Sequence, residues 1–462
     1  MLLLEQELDM PAASGESSLI DGFRKAVADR LPAGEVPVRF VVARTEADSH
    51  HCEIGVLADA DHLPGASIGS IFEFRPRAHE RTNKFTGVLL VPTGIGADIG
   101  GHAGDATPVA RLLASACDTL ITHPNVVNAS DINELPANGL YVEGSVICRF
   151  LMGTVGLQPV RANRVLLVID EHEDRRLSEL AVNAASAARA TLGLDCPRVI
   201  KMAPPIRMRA RYSSSGSAAG RIESLERLCA VLERHRMEYD AVAIHSVIDV
   251  PSGFHMEYFE SHGEMVNPWG GVEAMLTHAV SMIFDVPSAH APMLESWNIA
   301  NMVAGIVDPR ISAEAVSTCF LHCVLKGLHR SPRIITDRTA MQAPGVLNSA
   351  DVSCLIIPDG CVGLPTLAAM EQSIPVIAVR ENRNVMRNDL TQLPFEPGKL
   401  FIVDNYLEAA GVIAALKAGV SVPSVRRPIP DTPVTPEVAT DEASARAERA
   451  GARDVLSPKE GD

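Results

Sequence analysis

Residues 85–145 read FTGVLLVPTGIGADIGGHAGDATPVARLLASACDTLITHPNVVNASDINELPANGLYVEGS, and this stretch decides the fold class. An apolar run, Val88 to Val91, enters a loop carrying Gly94, Gly96, Gly100, Gly101 and Gly104. A helix pattern follows from Pro108 to Ala116, then a second apolar run, Thr119 to Thr122, that breaks at His123-Pro124-Asn125. Strand, glycine loop, helix and strand in that order make a βαβ unit. The loops of such a unit lie at the carboxyl edge of a parallel sheet, where open α/β folds bind small molecules.

The plan recurs near the other end of the chain. An apolar run (Cys354 to Ile357) leads into Asp359-Gly360-Cys361-Val362-Gly363. A helix from Pro365 and a strand (Val376 to Val379) follow. A further strand (Leu400 to Val403) and a helix (Tyr406 to Ala418) close this segment. The repetition predicts an α/β protein with two Rossmann-like parallel-sheet halves, a central cleft and a polar, loop-rich insertion.

The division expected along the chain has six parts. Residues 1–17 are read as a disordered N-terminus, 18–84 as a β-rich extension and 85–160 as the first half. A second α/β region spans 161–330, with strands at Val165 to Ile169 and Ala241 to Ser246 and a polar insertion at 248–296. Residues 331–422 form the C-terminal Rossmann-like segment, and 423–462 an acidic disordered tail. Within the second region, Ser214-Ser215-Gly216 sits in a serine–glycine loop ahead of a helix expected from about Arg221, a place suited to an anion. Ile311 to Arg330 reads as one strong helix, apolar enough to serve as a core element or a homo-oligomer contact.

Composition narrows the function. With 47% hydrophobic and 21% charged residues the chain is globular, and a net charge of −16 argues against nucleic acid or anionic membrane as partners. The nine cysteines show no paired CxxC spacing, so neither a zinc ribbon nor a disulfide framework is indicated. MLLLEQELDM lacks a basic lead, and no apolar run reaches the ~18 residues of a membrane span. A cytoplasmic location is expected.

Two polar clusters carry the candidate chemistry. Near the first glycine loop stand Asp98, His102, His123, Asn125, Asn128 and Glu143, among glycines that let backbone approach a ligand. The insertion supplies His255, His262, Asn267, Trp269, Gly270, Glu273 and His290, with His278 on the same expected helix as Glu273. Histidines titrate near neutral pH and serve as general acids and bases. His102, His123, His255, His262, Glu143 and Glu273 are therefore the expected catalytic set. Gly94, Gly96, Asp98, Gly101, Asn125, Asn128, Ser214, Ser215, Gly216, Asn267, Trp269, Gly270, His290, Asp359, Gly360 and Cys361 are the expected substrate contacts. The loop TGIGADIGG departs from GxGxxG, and no acidic ribose partner stands near His123, so NAD is not expected. A divalent metal stays open, because His and Glu could ligate one, but no HExxH spacing fixes it. The expected function is acid–base chemistry on a small polar, carboxylate-bearing metabolite: hydrolysis, ring opening or closing, or isomerisation. The alternatives are a non-catalytic metabolite sensor and a metal-dependent hydrolase.

Four blocks carry a family resemblance: HPNVVNASDINELPANGLYVEG (123–144), VNPWGGVEAMLTHAV (266–280), PSAHAP (287–292) and VDPRISAEAVSTCFLHCVLKGLHR (307–330). They resemble the domain of unknown function 3326 family, found in bacteria including cyanobacteria, over roughly residues 85–420. The resemblance implies no established activity. It does imply that these blocks form one functional unit.

Overall fold

The apolar runs at 88–91, 354–357 and 376–379 are continuous rather than alternating, which suits strands covered on both faces. In the computed structural model, which describes residues 1–11, 18–59, 68–301, 305–429 and 431–436, they form the middle of a parallel sheet. Its order is Leu400–Val403, Val376–Val379, Val352–Pro358, Thr86–Leu89, Thr119–Thr122, Gly139–Tyr141. The strands of both sequence repeats thus lie in one sheet, joined where Leu355 pairs with Val88 and Ile356 with Leu89. This corrects the expectation of two Rossmann-like halves facing one another. A βαβ unit has the same local pattern whether it ends a sheet or continues one, so sequence periodicity does not choose between them. The two central strands are parallel, but later strands are added outward from them in opposite directions, so the crevice at their carboxyl ends is a topological switch point.

The second sheet is mixed and curled. Val199–Met202, Val165–Asp170, Ala241–Asp249 and Ser288–Met293 run parallel. Beyond them the sheet continues through Arg207–Tyr212, Ala218–Glu223, Leu2–Pro11, Ser49–Ala58 and Val36–Thr45 to Val362–Gly363. The last of these follows Val352–Pro358 after one short turn, so the two sheets are tied together at the second glycine loop.

Several expectations change here. Leu2–Pro11 is a strand rather than a disordered end, pairing with Ser49–Ala58 along its whole length. Its acidic residues obscured the pattern: Leu3 and Met10 are buried, and so is Glu5, which Arg39 meets at 2.9 Å. The serine–glycine loop turns a hairpin between Arg207–Tyr212 and Ala218–Glu223, so it does not open a helix. Met208 and Ala210 face inward there and their arginine neighbours outward, the alternation of a half-buried strand. Ser213 and Ser217 each donate to the buried Glu53 at 2.7 Å, and Ser214 bonds Glu7.

The segment 248–296 is no insertion. It holds the buried helix Gly270–Phe284 and the sheet strand Ser288–Met293. Ile311–Arg330 is not one helix. Ser312–Ala315 and Leu321–His329 are separated by a break where Phe320 takes φ 50° and Ser317 bonds Asp131. Val316 is consequently exposed.

Met1–Ala418 forms one compact unit, so the boundaries expected at 84/85, 160/161 and 330/331 fall inside it. Gly419–Asp462 is a second unit, with a short 3-10 turn at Val422–Val425. The disorder expected for 12–17 and 437–462 lies outside the described residues. Among the described residues no helix is long and apolar enough to cross a membrane.

The buried Glu5 makes a measurable prediction. Burial, only partly offset by Arg39, raises its pKa to about 7 from 4.5. The folded state therefore holds this proton between those two values and the unfolded state does not. Stability from this group rises as pH falls from about 7 towards 4.5, by up to ~3 kcal/mol. Urea melts of Glu5→Gln against the parent at pH 5 and pH 8 should show the variant gaining relative stability at the higher pH. Equal differences at both pH values would contradict it.

Candidate functional site

A cavity of about 400 Å³ is lined from both sheets. The parallel sheet contributes its switch-point loops after Thr86–Leu89 and Val352–Pro358, together with His123 at the end of Thr119–Thr122. The mixed sheet contributes Ile248 and the end of Ser288–Met293. The helix Gly270–Phe284 packs on the mixed sheet and lines the cavity with Gly270, Glu273, Ala274, Thr277 and His278. Its close approach depends on glycine, since a Cβ on Gly271 would sit 2.0 Å from the Ala218 carbonyl oxygen. Asn267 holds the start of that helix by accepting from the N–H groups of Trp269 (3.0 Å) and Gly270 (3.3 Å).

The centre of the wall is Glu143. It caps the helix Gly144–Leu151, accepting from the Ser145 N–H at 2.9 Å and the Val146 N–H at 3.3 Å. The Ser145 hydroxyl and His278 Nδ1 bond the same carboxylate, and Thr277 Oγ1 approaches Oε1 at 3.3 Å. Burial alone would push this carboxyl up. His278, as a charge and as a hydrogen-bond donor, and then Ser145 outweigh it and bring the pKa down to about 2. Glu143 is thus an ionised group that fixes the ring of His278 through Nδ1. The Nε2 atom has no bond to the protein among the described residues.

A second Glu–His pair lies about one turn earlier on the same helix. Glu273 Oε1 meets His290 Nδ1 at 2.9 Å, and His290 Nε2 meets the buried Ser246 hydroxyl at 2.9 Å. A third pair joins His255 Nε2 and Glu295 Oε1 at 3.4 Å, with the His255 ring 5.0 Å from Trp269. His123 completes the wall. Its Nε2 accepts from the Val91 N–H at 3.1 Å, which puts the ring proton on Nδ1. Burial, partly countered by Glu143, lowers its pKa to about 4, so it stays neutral.

Glu314 also lines the cavity. Its Oε1 accepts from the Ala103 N–H (2.8 Å) and from the Tyr258 hydroxyl (3.3 Å), and burial raises its pKa to about 7. It was missed because an unbroken helix over Ile311 to Arg330 gives Glu314 no reason to face inward. His278 was legible as a partner on the Glu273 helix; nothing local marked it as the residue facing Glu143.

Of the expected site, His123, His255, Glu143 and Glu273 share this cavity. So do the expected contacts Gly94, Gly101, Asn125 and Asn128 from the first cluster. Asn267, Trp269, Gly270, His290 and Cys361 join them. His102, Gly96 and Asp98 line a separate cavity of about 110 Å³ instead. His262, Ser214, Ser215, Gly216, Asp359 and Gly360 line neither. The His262 carbonyl accepts from Arg310, and Asp359 accepts from the Gly360 N–H. Burial pushes the Cys361 thiol far up, so the adjacent helix end does not make it a thiolate. Among the described residues no three His, Cys, Asp or Glu side chains are grouped to hold a metal ion.

The glycine loop packs against protein rather than standing open. The Ile99 N–H is taken by Asn382 at 2.8 Å, the Gly100 N–H by Asp105 at 2.8 Å and the Ala103 N–H by Glu314. The Gly94 carbonyl accepts from the Ala218 N–H at 2.7 Å, which fastens the loop to the other sheet. At Gly104, φ is +67° and a Cβ would lie 2.4 Å from the Ala129 nitrogen. Gly104→Ala should therefore destabilise the fold by about 3 kcal/mol. A denaturation midpoint unchanged from the parent would refute that role.

Residues 86–426 match the model of the family described as Protein of unknown function (DUF3326), and the chain belongs to that family. Over 338 residues it is 36% identical to an uncharacterised lipoprotein of Synechococcus sp., a match covering 72% of this chain and 91% of that protein. That relative's name overturns the cytoplasmic location expected from the sequence. No solved structure matches.

Proposed function

We propose that this protein is a non-redox enzyme that moves protons on a small metabolite held between the two sheets. One observation carries the reading: the buried Glu143 carboxylate fixes His278 by Nδ1, on a cavity wall shared with His123, Glu273 and Glu314. A carboxylate that orients an imidazole in this way stabilises the imidazolium formed when Nε2 takes a proton. His278 is the base. Glu314, whose pKa of about 7 leaves it partly protonated near neutral pH, is the acid. His123 offers a fixed Nδ1–H to an oxygen that gains charge. Base and acid on one site suit isomerisation or ring opening and closing, and also hydrolysis.

The walls refine the substrate. Phe40, Leu90, Ile248, Phe259 and Met293 line the same space, so the metabolite carries an apolar body besides its polar group. The two cavity arginines are already engaged: Arg39 with Glu5, and Arg149 with Asp285 at 2.8 Å. That weakens the expectation of a carboxylate on the substrate.

The test is a thermal-shift screen of a metabolite library, followed by mass spectrometry of each stabilising compound after incubation. Conversion supports the enzyme. Tight binding with the compound recovered unchanged supports a metabolite sensor and rejects the proposal.

A further inference from the structure

His102 was expected in the main cavity, yet it lines the smaller one, with Arg310, Glu264 and Asp98. It is connected to the main cavity all the same. His102 Nδ1 lies 2.7 Å from the Tyr258 hydroxyl, and that hydroxyl lies 3.3 Å from Glu314 Oε1. Glu314 lines the large cavity and His102 the small one; the fully buried Tyr258 fills the space between.

We propose that His102, Tyr258 and Glu314 form a proton relay through which the acid of the main cavity is unloaded and reloaded from the side cavity. The inference rests on the acid role given to Glu314 above. With the acid loaded, Glu314 Oε1–H donates to the Tyr258 oxygen, the reverse of the bond the carboxylate accepts, and the Tyr258 hydroxyl donates to His102 Nδ1. In the unloading step the Oε1–H bond breaks and that proton bonds to the Tyr258 oxygen. The proton Tyr258 already held passes to His102 Nδ1. The products are a Glu314 carboxylate and a His102 imidazolium; nothing is oxidised, and Tyr258 is unchanged. The reverse step restores the acid.

The surroundings suit both ends. Glu314 faces the Ala103 N–H and the charges of Glu273 and Asp105. Burial and then Arg310 disfavour the His102 imidazolium and lower its pKa, while the Gly263 backbone, Asp308 and Asp98 favour it. Burial holds Tyr258 far above its ordinary range, so it gives up one proton only as it takes another and does not rest as a phenolate.

The test uses the full-length protein without substrate, so it is independent of turnover. Ring nitrogens of His102 are followed by NMR in protein with labelled histidine, the signals being assigned by their loss in His102→Asn. Glu314→Gln should move the His102 titration midpoint by about 1 pH unit or more. In a Tyr258→Phe background the same substitution should move it far less, since the Phe ring keeps the contacts with Trp269 and Phe259. An unmoved midpoint in the first comparison overturns the relay, and so does an equal shift in the second. Should Tyr258→Phe not fold, the infrared carboxyl band of Glu314 is read in His102→Asn instead: a shifted band supports the relay and an unshifted one overturns it. A protein that turns over substrate with these groups uncoupled loses the relay alone. One that couples them without turnover loses the enzyme reading alone.

Discussion

Replacing His278 with glutamine is expected to lower turnover of the cavity's substrate by about 10²- to 10⁴-fold, the range for loss of a positioned acid–base group. KM should change little, because the imidazole acts on the proton in flight and the apolar wall still binds the body of the molecule. Its environment explains why His278 carries this weight. Glu143 spends its carboxylate on His278, Ser145, Thr277 and the first turn of the helix Gly144–Leu151, so it is a fixed anchor. His290 is bonded at both ring nitrogens, and His123 already accepts a backbone N–H. Among the described residues His278 and His255 each keep a ring nitrogen without a bond, and of the two it is His278 that a fully buried carboxylate holds, whereas His255 meets the half-buried Glu295 at 3.4 Å. Kinetics of His278→Gln beside His290→Gln check the assignment. A loss confined to His290→Gln would move the base to the other pair.

Deleting residues 1–11 is expected to abolish the folded state, although the family match begins only at residue 86. Leu2–Pro11 is an interior strand, bonded to Ser49–Ala58 on one side and to Ala218–Glu223 on the other. Its removal bares two strand edges and uncovers the sites of Leu3 and Met10, each worth ~1.5–3 kcal/mol of burial. It also strips Glu5 from Arg39 and leaves that buried guanidinium to Glu53 alone, 3.8 Å away. A domain's whole stability is about 5–15 kcal/mol, so these losses together consume it. Circular dichroism and a thermal melt of the truncated protein decide the point. A cooperative transition at the parent's temperature would show that the strand is dispensable.

The strands at 86–89, 119–122, 352–358, 376–379 and 400–403 were legible because continuous apolar runs announce them. Their assembly was not. Whether Val352–Pro358 pairs with Thr86–Leu89 depends on contacts between segments far apart in the chain, and local periodicity carries no trace of that. Composition misled in two places. Serines and glycines at 213–217 suggested an anion loop, while the alternation of Met208 and Ala210 with arginines already spelled a strand. Unbroken helix propensity from Ile311 onward hid the turn at Phe320, and with it the inward-facing Glu314. The polar cluster was more readable. His123, Glu143, Glu273 and His290 stood out as ionisable groups at strand ends and helix starts, where a ligand meets an α/β sheet. His102 failed that reasoning because the glycines around it make room for Ala97 and Ala129 rather than for a substrate.

The proposal of proton transfer in one shared cavity meets its most direct test in a single comparison. The compound that most stabilises the parent protein is incubated with the parent and with His278→Gln, and both mixtures are followed by NMR in deuterated water. The account predicts that both proteins bind it and that only the parent converts it or exchanges its protons for deuterium. Equal conversion by the two proteins, or binding by both with no exchange in either, would contradict it.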